Sequence, residues 1–281
     1  MLTFYAPAKI NWFLKVLYQR EDGFHEIQSL MQKVSLSDML RFYETDQIIV
    51  TSNTTIPVEK NLVYLAAKLM AQKYNVQKGA SIYLKKQIPE AAGLGGGSSD
   101  AATTLIGLNT LWGLNLPQSE LHAMAETLGS DVPFFLYDSL ALVSGRGEHI
   151  SPCKAEKTID ILLVNPNLAV STAWAYKNLR RPLTNERDNT KIVLDCIIKG
   201  DIAYFKNQKI HPQNDLEHAV IEEYPVIGQI KQKLSEEGAV TAMMSGSGST
   251  VFGVFESQAQ AASAQKAFPG FWTATVQTIV N

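Results

Sequence analysis

Within PEAAGLGGGSSDAATT, residues 89–104, the glycines Gly93, Gly95, Gly96 and Gly97 crowd into five positions. Each glycine costs about 0.5–1 kcal/mol relative to alanine in a regular element, so a cluster answers a geometric demand: a positive φ, or close approach of something to the backbone. The flanks narrow that demand. ASIYLKKQIP alternates like a strand and stops at Pro89, whereas Ala101, Leu105, Leu108 and Trp112 recur at helical spacing before Gly113, a helix-ending residue. The order is strand, glycine loop, helix. The first turn of such a helix offers backbone N–H groups without intrahelical partners and a partial positive charge, so an anion is the expected guest. No Lys or Arg lies between Pro89 and Thr104. A bound phosphate would therefore rest on main-chain amides, on Ser98 and Ser99, and on the helix terminus. The P-loop pattern fails for want of a lysine after Gly97, and the dinucleotide pattern fails at Ser98, where its third glycine belongs. A tight turn without a ligand is the alternative.

The chain is long enough, at 281 residues with 46% hydrophobic, for two moderate domains. A boundary near 155 separates residues 1–155 from 156–281. The formal net charge is −2, and without a basic block nucleic acid is not an expected partner. MLTFYAPAKI has no apolar leader, and no uninterrupted apolar run is long enough to span a bilayer. A cytoplasmic protein with no membrane partner is expected. Cys153 and Cys196 suit neither a disulfide framework nor a zinc site and are read as reduced thiols, and the five histidines show no metal-ligand spacing.

Along the chain, TFYAPAKINWFLKVL reads as strands flanking a short Pro-Ala-Lys segment, with a turn at 21–23 and further strands to about residue 52. NLVYLAAKLMAQKYN reads as a helix capped by Asn61, with Leu62, Leu65, Ala66, Leu69 and Met70 on one face. QSELHAMAETLG is a second helix. In the following GSDVPFFL, Pro133 disfavours a helical Val132 and puts Asp131 at a change of direction. KTIDILLVNP is a strand and RRPLTNERDNT an exposed loop. Helices follow near 213–236, then strand, glycine turn and strand in AVTAMMSGSGSTVFGVF, an Ala/Gln-rich helix, and a last strand in ATVQTIV.

PEAAGLGGGSSDAA resembles the second motif of the GHMP kinases, APAKIN their first and MMSGSGSTVFGVF their third, in the right order along the chain. The resemblance implies a two-domain α+β fold, with an N-terminal nucleotide-binding domain, a C-terminal ferredoxin-like domain and the active cleft between them. Together with DGFHEIQSL, NLVYLAA and LGSDVPFF, it further implies transfer of the ATP γ-phosphoryl group to the 2-hydroxyl of a CDP-linked methylerythritol, a step of non-mevalonate isoprenoid synthesis. Another GHMP alcohol kinase, or a non-catalytic nucleotide binder on the same scaffold, is the alternative.

Carried over by motif, Asp131 would take or orient the hydroxyl proton beside the cation Lys9. With a reference pKa of about 3.9 an aspartate suits orientation better than early proton abstraction. Asp131 could otherwise be a turn cap, and Lys9 a surface lysine. Gly93, Leu94, Gly95, Gly96, Gly97, Ser98 and Ser99 would hold ATP, with Asn61 near the adenine and Lys86 beside the same pocket; Lys86 is otherwise a solvent-facing strand lysine. Phe24 and Tyr176 would sandwich cytosine while His25 reads its polar edge. Asn11, on the strand face of Lys9 if that segment is extended, and Thr172 would touch substrate, and Gly246, Ser247 and Gly248 would close over the phosphates. Mg²⁺ is expected with ATP; its ligands are unknown, with Ser99 one candidate.

Overall fold

The structure, a computed structural model, describes residues 1–179, 190–208 and 212–280. The expected loop over RRPLTNERDNT lies at 180–189, outside the described residues, apart from its last position. The chain forms two compact units. One comprises Met1–Ala8, Leu36–Pro89 and Gly95–Asp138, the other Lys9–Ser35, Glu90–Leu94 and Ser139–Asn281. The expected division at 155 is a single cut, whereas these units alternate along the chain. Two long strands, β1 (Leu2–Gln19) and β2 (His25–Thr45), serve both. Pro7 does not split β1. The strand pairs with β2, and a proline is tolerated where the missing N–H would have had no ladder partner.

In the first unit, β3 (Ile48–Ser52), α1 (Leu62–Lys73) and β4 (Gly79–Lys85) form a crossover: β3 and β4 are parallel, in register Val50 to Ile82. β4 pairs antiparallel with the C-terminal half of β2, Leu40 opposite Leu84. It ends at Lys85, not at Pro89, because the next backbone N–H groups go to side chains instead of the ladder: Lys86 donates to Asn53 Oδ1 at 2.7 Å, and Gln87 and Ile88 donate to Asp38 Oδ1. Asn61 caps α1 as expected, its side chain accepting from the Val63 N–H at 3.0 Å. The buried face is Val63, Ala66, Ala67 and Met70, with Leu62, Leu65 and Leu69 only half-buried, so the helix is rotated from the expected face. α2 (Gly96–Leu111) packs on α1 and is buried nearly all round its first half. A Cβ at Gly107 would stand 2.7 Å from the Phe42 ring, so glycine lets that helix approach the sheet. Trp112 closes α2, and Gly113 follows with φ +64°. α3 (Gln118–Leu128) leads to a 3₁₀ turn over Pro133–Leu136. Val132 is helical here (φ −63°, ψ −43°). It is fully buried, and its N–H bonds the Gly129 carbonyl at 3.2 Å, which outweighs the steric preference before proline.

In the second unit, the N-terminal half of β2 pairs with β5 (Leu140–Gly145), and β5 with β6 (His149–Cys153). The rest begins with β7 (Asp160–Asn165), α4 (Thr172–Lys177), α5 (Thr190–Lys199), α6 (Ala203–Gln208), α7 (Glu217–Glu223) and α8 (Pro225–Glu236). β8 (Thr241–Met244), β9 (Val251–Phe255), α9 (Gln258–Gln265) and β10 (Trp272–Gln277) complete it. The antiparallel sheet runs β10-β7-β9-β8. With helices between its first and second and its third and fourth strands, this is the expected ferredoxin-like βαββαβ arrangement. Its apolar core gathers Leu162 and Val164 of β7, Ile227, Ile230 and Leu234 of α8, and Ala261 and Ala264 of α9. No helix among the described residues is long and apolar enough to cross a membrane.

Candidate active site

In the second unit, β1 brings Lys9 to a buried position, 3% exposed. Its Nζ donates to Asn11 Oδ1 at 2.7 Å, Asn11 Nδ2 donates to Ser29 Oγ at 2.8 Å, and Ser29 donates to the Phe13 carbonyl at 2.6 Å. Strand alternation puts Lys9 and Asn11 on one face, and the relay orients the ammonium group. The Lys9 backbone N–H also donates to the Leu94 carbonyl at 2.9 Å, tying β1 to the start of the glycine loop.

The segment 245–249, between β8 and β9, meets the same place. Ser245 Oγ donates to the Gly93 carbonyl at 2.9 Å, and the Thr250 N–H to the Ala92 carbonyl at 3.2 Å. Gly246 has φ +57°, and a Cβ there would stand 3.2 Å from both Lys9 Nζ and the Gly93 carbonyl. All three motifs therefore converge within this unit: Lys9 from the first, Gly93 from the second and Gly246 from the third.

Two buried asparagines that the sequence did not single out hold the third motif. Asn214 Nδ2 donates to the carbonyls of Met244 (2.9 Å) and Gly246 (2.7 Å), while its Oδ1 accepts from the Leu216 N–H at 3.0 Å. Asn165 Nδ2 donates to Thr250 Oγ1 at 2.9 Å and Ser249 Oγ at 3.2 Å. Ser247 Oγ lies 2.9 Å from Thr172 Oγ1, so two expected substrate contacts are neighbours.

The aromatic residues expected around the base have ring partners of their own. His25 itself stacks on Tyr176, with ring centroids 5.1 Å apart and 25° between planes. Phe24 sits in the turn before β2, 48% exposed, with the Arg146 guanidinium 5.2 Å from its ring centroid. Arg146 is a further residue the sequence did not single out.

In the first unit lie the remainder of the glycine loop, Asn61, Lys86 and Asp131. Gly95 is left-handed (φ 67°) and precedes the 16-residue α2, whose first residues are Gly96 and Gly97. Leu94, the last loop residue of the other unit, is buried, Ser98 half-buried and Gly97 exposed. Ser99 Oγ and Asp100 Oδ1 are buried with no hydrogen-bond partner; the Ser99 hydroxyl can donate to an anion at this helix start, whereas Asp100 is turned to Lys86 through its other carboxyl oxygen. Asp131 is half-buried in the turn after α3. Lys86 is not solvent-facing. Its side chain is 11% exposed and its Nζ bonds both Asp38 and Asp100. Burial opposes its charge, but Asp100 and Asp38 hold its pKa above the ordinary lysine value. Burial, helped by Asp38 and opposed by Lys86, pushes Asp100 up to about 7.

The chemistry of these groups fits nucleoside triphosphate phosphates: a helix start free of side-chain bulk, and the unpartnered Ser99 hydroxyl beside it. Among the described residues no three His, Cys, Asp or Glu side chains gather as a metal cage would need. A Mg²⁺ ion would have to arrive on nucleotide phosphates, and the unpartnered Ser99 hydroxyl is one protein group that would be able to meet it.

Family models for the GHMP kinases match the chain twice, the N-terminal domain over residues 61–139 and the C-terminal over 194–274. The chain is 46% identical to the 4-diphosphocytidyl-2-C-methyl-D-erythritol kinase of Thermodesulfovibrio yellowstonii, over 100% of this chain and 99% of the relative. It is 40% identical to the enzyme of that name in Geobacter sulfurreducens, over 99% of each chain. A crystal structure of 4-(cytidine 5'-diphospho)-2C-methyl-D-erythritol kinase superposes with TM-score 0.83 at 33% identity, over 98% of this chain and 99% of that one. A homoserine kinase from Cytophaga hutchinsonii shares the fold, with TM-score 0.73 at 19% identity, over 100% of this chain and 95% of that one.

Proposed function

Because this chain belongs to the GHMP kinases, we propose a mechanism in which Asp131 and Lys9 serve the reaction its relatives are named for. The chain is an ATP-dependent small-molecule kinase that phosphorylates the 2-hydroxyl of 4-diphosphocytidyl-2-C-methyl-D-erythritol, a step of non-mevalonate isoprenoid precursor synthesis. The observation that carries the site is the meeting of Lys9, Gly93 and Gly246, which joins all three motifs around one buried cation.

Phosphoryl transfer passes through a loose transition state, so the protein has chiefly to align oxygens and neutralise charge. The substrate hydroxyl oxygen bonds the γ-phosphorus as the bond to the β,γ-bridging oxygen breaks, releasing ADP. Asp131 orients that hydroxyl and receives its proton, and Lys9, held by Asn11, neutralises charge on the phosphoryl group. Gly93–Ser99 hold the triphosphate through main-chain N–H groups, with Asn61 near the adenine. Mg²⁺ supplies further charge neutralisation on the phosphates. Thr172 and residues 246–248 contact the substrate. Phe24, His25 and Tyr176 recognise cytosine, and the existing His25–Tyr176 stack supports a flat-ring site there. Residues 1–155 supply the ATP-binding part and 156–281 the remainder, with the two family matches, over 61–139 and 194–274, on either side of that boundary. ATP and a nucleotide-linked alcohol are charged cytoplasmic solutes, which is why we place the enzyme in that compartment, with no nucleic-acid or membrane partner.

Asp131→Asn keeps the shape and removes the charge. kcat is expected to fall by about 10²-fold or more, with KM for ATP changed little. Steady-state kinetics with ATP and the CDP-linked alcohol, set beside mevalonate as an alternative acceptor, checks both residue and substrate. A near-normal kcat removes Asp131 from the mechanism, and preference for mevalonate removes the cytosine site.

A further inference from the structure

Asp38 belongs to no motif, yet it lies at the centre of the first unit's buried charges. It is on β2 in phase with buried Leu40 and Phe42, and its side chain is fully buried. Its Oδ1 accepts the backbone N–H groups of Gln87 and, at 2.9 Å, Ile88, while Oδ2 accepts from Lys86 Nζ. The same Nζ donates to Asp100 Oδ2 at 2.8 Å. The trio therefore grips the chain on both sides of the glycine loop, at 86–88 where it enters and at 100 where α2 has begun. The loop also rests on it. A Cβ at Gly96 would stand 3.0 Å from Lys86 Nζ and 2.9 Å from Ile88 Cγ2.

Buried ion pairs are poor sources of stability, because desolvation cancels most of their attraction, and apolar replacements of similar volume often fold as well. What such a trio does supply is a fixed position for the backbone it grips. We propose that Asp38, Lys86 and Asp100 are positioning residues that hold the glycine loop in its phosphate-binding shape, acting through the loop backbone without touching the nucleotide. This rests on the reading that residues 95–99 carry the ATP phosphates, and it gives Lys86 an indirect role in place of the direct contact that the family resemblance implies. Lys86 Nζ has committed donors to two carboxylates on the protein side, which leaves the main chain as the chief phosphate holder.

The test measures binding of a non-hydrolysable ATP analogue by titration calorimetry, KM for the CDP-linked alcohol, and thermal stability. The variants are Asp38→Asn, Lys86→Met, the double variant of these two, Asp100→Ala and Asp100→Asn. Asp38→Asn and Lys86→Met should weaken the analogue about tenfold or more, with the alcohol KM within about twofold, because small misplacements of a phosphate cradle are costly. Asp100→Asn, which keeps an acceptor for Lys86, should bind near the wild-type value, and Asp100→Ala should match Lys86→Met. In the double variant, stability should recover while analogue binding stays weak. Recovery of both together, or folded single variants with wild-type affinity, overturns the proposal. If Asp38→Asn does not fold, the Asp100→Ala and Asp100→Asn pair decides alone, and equal affinities overturn it. Failure of the wild type to bind the analogue would instead remove the phosphate-loop reading itself.

Discussion

The loop leading into α2 is anchored through Asp38, Lys86 and Asp100, whereas the segment 245–249 hangs on the neutral amides of Asn165 and Asn214. Both segments are rich in glycine and serine, and both lie at proposed phosphate-handling positions, yet one is held by charge and the other by amides. An amide presents a donor and an acceptor together and does not titrate, so Asn214 can satisfy two carbonyls and an N–H at once. A carboxylate accepts several N–H groups strongly but brings a charge into the interior, and burial then acts on its pKa. Amide anchoring should therefore be insensitive to pH, and ionic anchoring should not.

The strongest way to break the comparison is at the contact between the two segments inside the second unit. Gly93 has φ +75°, and a Cβ there would lie 2.1 Å from the Ser245 carbonyl oxygen, a backbone atom with little room to move. Gly93→Ala should cost about 4 kcal/mol or more in urea unfolding, the range of a severe backbone clash. Gly97→Ala is the control. Gly97 lies in α2, and its Cβ would make an ordinary 3.6 Å contact with Leu62 Cδ1 of α1, so the change should be neutral or stabilising by up to about 1 kcal/mol. Equal effects would mean that the glycines answer no distinct geometric demands.

Next in size is Asn214→Ala, which leaves the Met244 and Gly246 carbonyls and the Leu216 N–H without their partner. A loss of about 2–4 kcal/mol is expected. The loss should be the same at acid and neutral pH, and denaturant melts at both settle it; a pH-dependent loss would show that charges hold this segment too.

The smallest effect sharpens the ionic side. Asp100 is raised from 3.8 to about 7 in the folded chain, by burial first and then by Asp38. The folded state therefore holds this proton more tightly than the unfolded state. The stability it contributes is present below the unfolded pKa and is lost as pH rises through the folded one. Asp100→Asn stays neutral throughout. Its stability relative to wild type should rise between about pH 4 and pH 8 by on the order of 1 kcal/mol or more, at about 1.4 kcal/mol per pKa unit before discounting for its pairing with Lys86. Thermal melts in nucleotide-free, metal-free buffer across that range measure the slope, and a flat difference would show that Asp100 does not titrate.

Much of this was legible locally. The Asn61 cap, the α2 period ending before Gly113, the α3 stop at Gly129 and the two strands around 245–249 were all readable, because each depends on residues within a turn or two of one another. Asp38 could have been found as well. It is in phase with Leu40 and Phe42, the alternation that marks the buried face of β2. Asn165 and Asn214 left no such sign, since an asparagine beside a turn reads alike whether it caps locally or reaches a distant loop. Arg146 was equally silent, because its ring partner Phe24 lies far away in sequence.

The sequence by itself determined many of the helices and strands, though not β5, β6 or α4 to α6. It also determined where glycine must break such elements and, through motif resemblance, the family and its reaction. Only the tertiary structure decided who holds what. Lys86 meets carboxylates 48 and 14 residues away, and Asn214 meets carbonyls 30 and 32 residues away. Long strands brought Asp38 under the glycine loop, and β7–β9 pairing brought Asn165 to Thr250. Local preferences act over a few residues, whereas a buried polar group takes whichever partner the packed sheets and helices place within hydrogen-bond reach, because leaving it unpaired costs more than any local preference supplies.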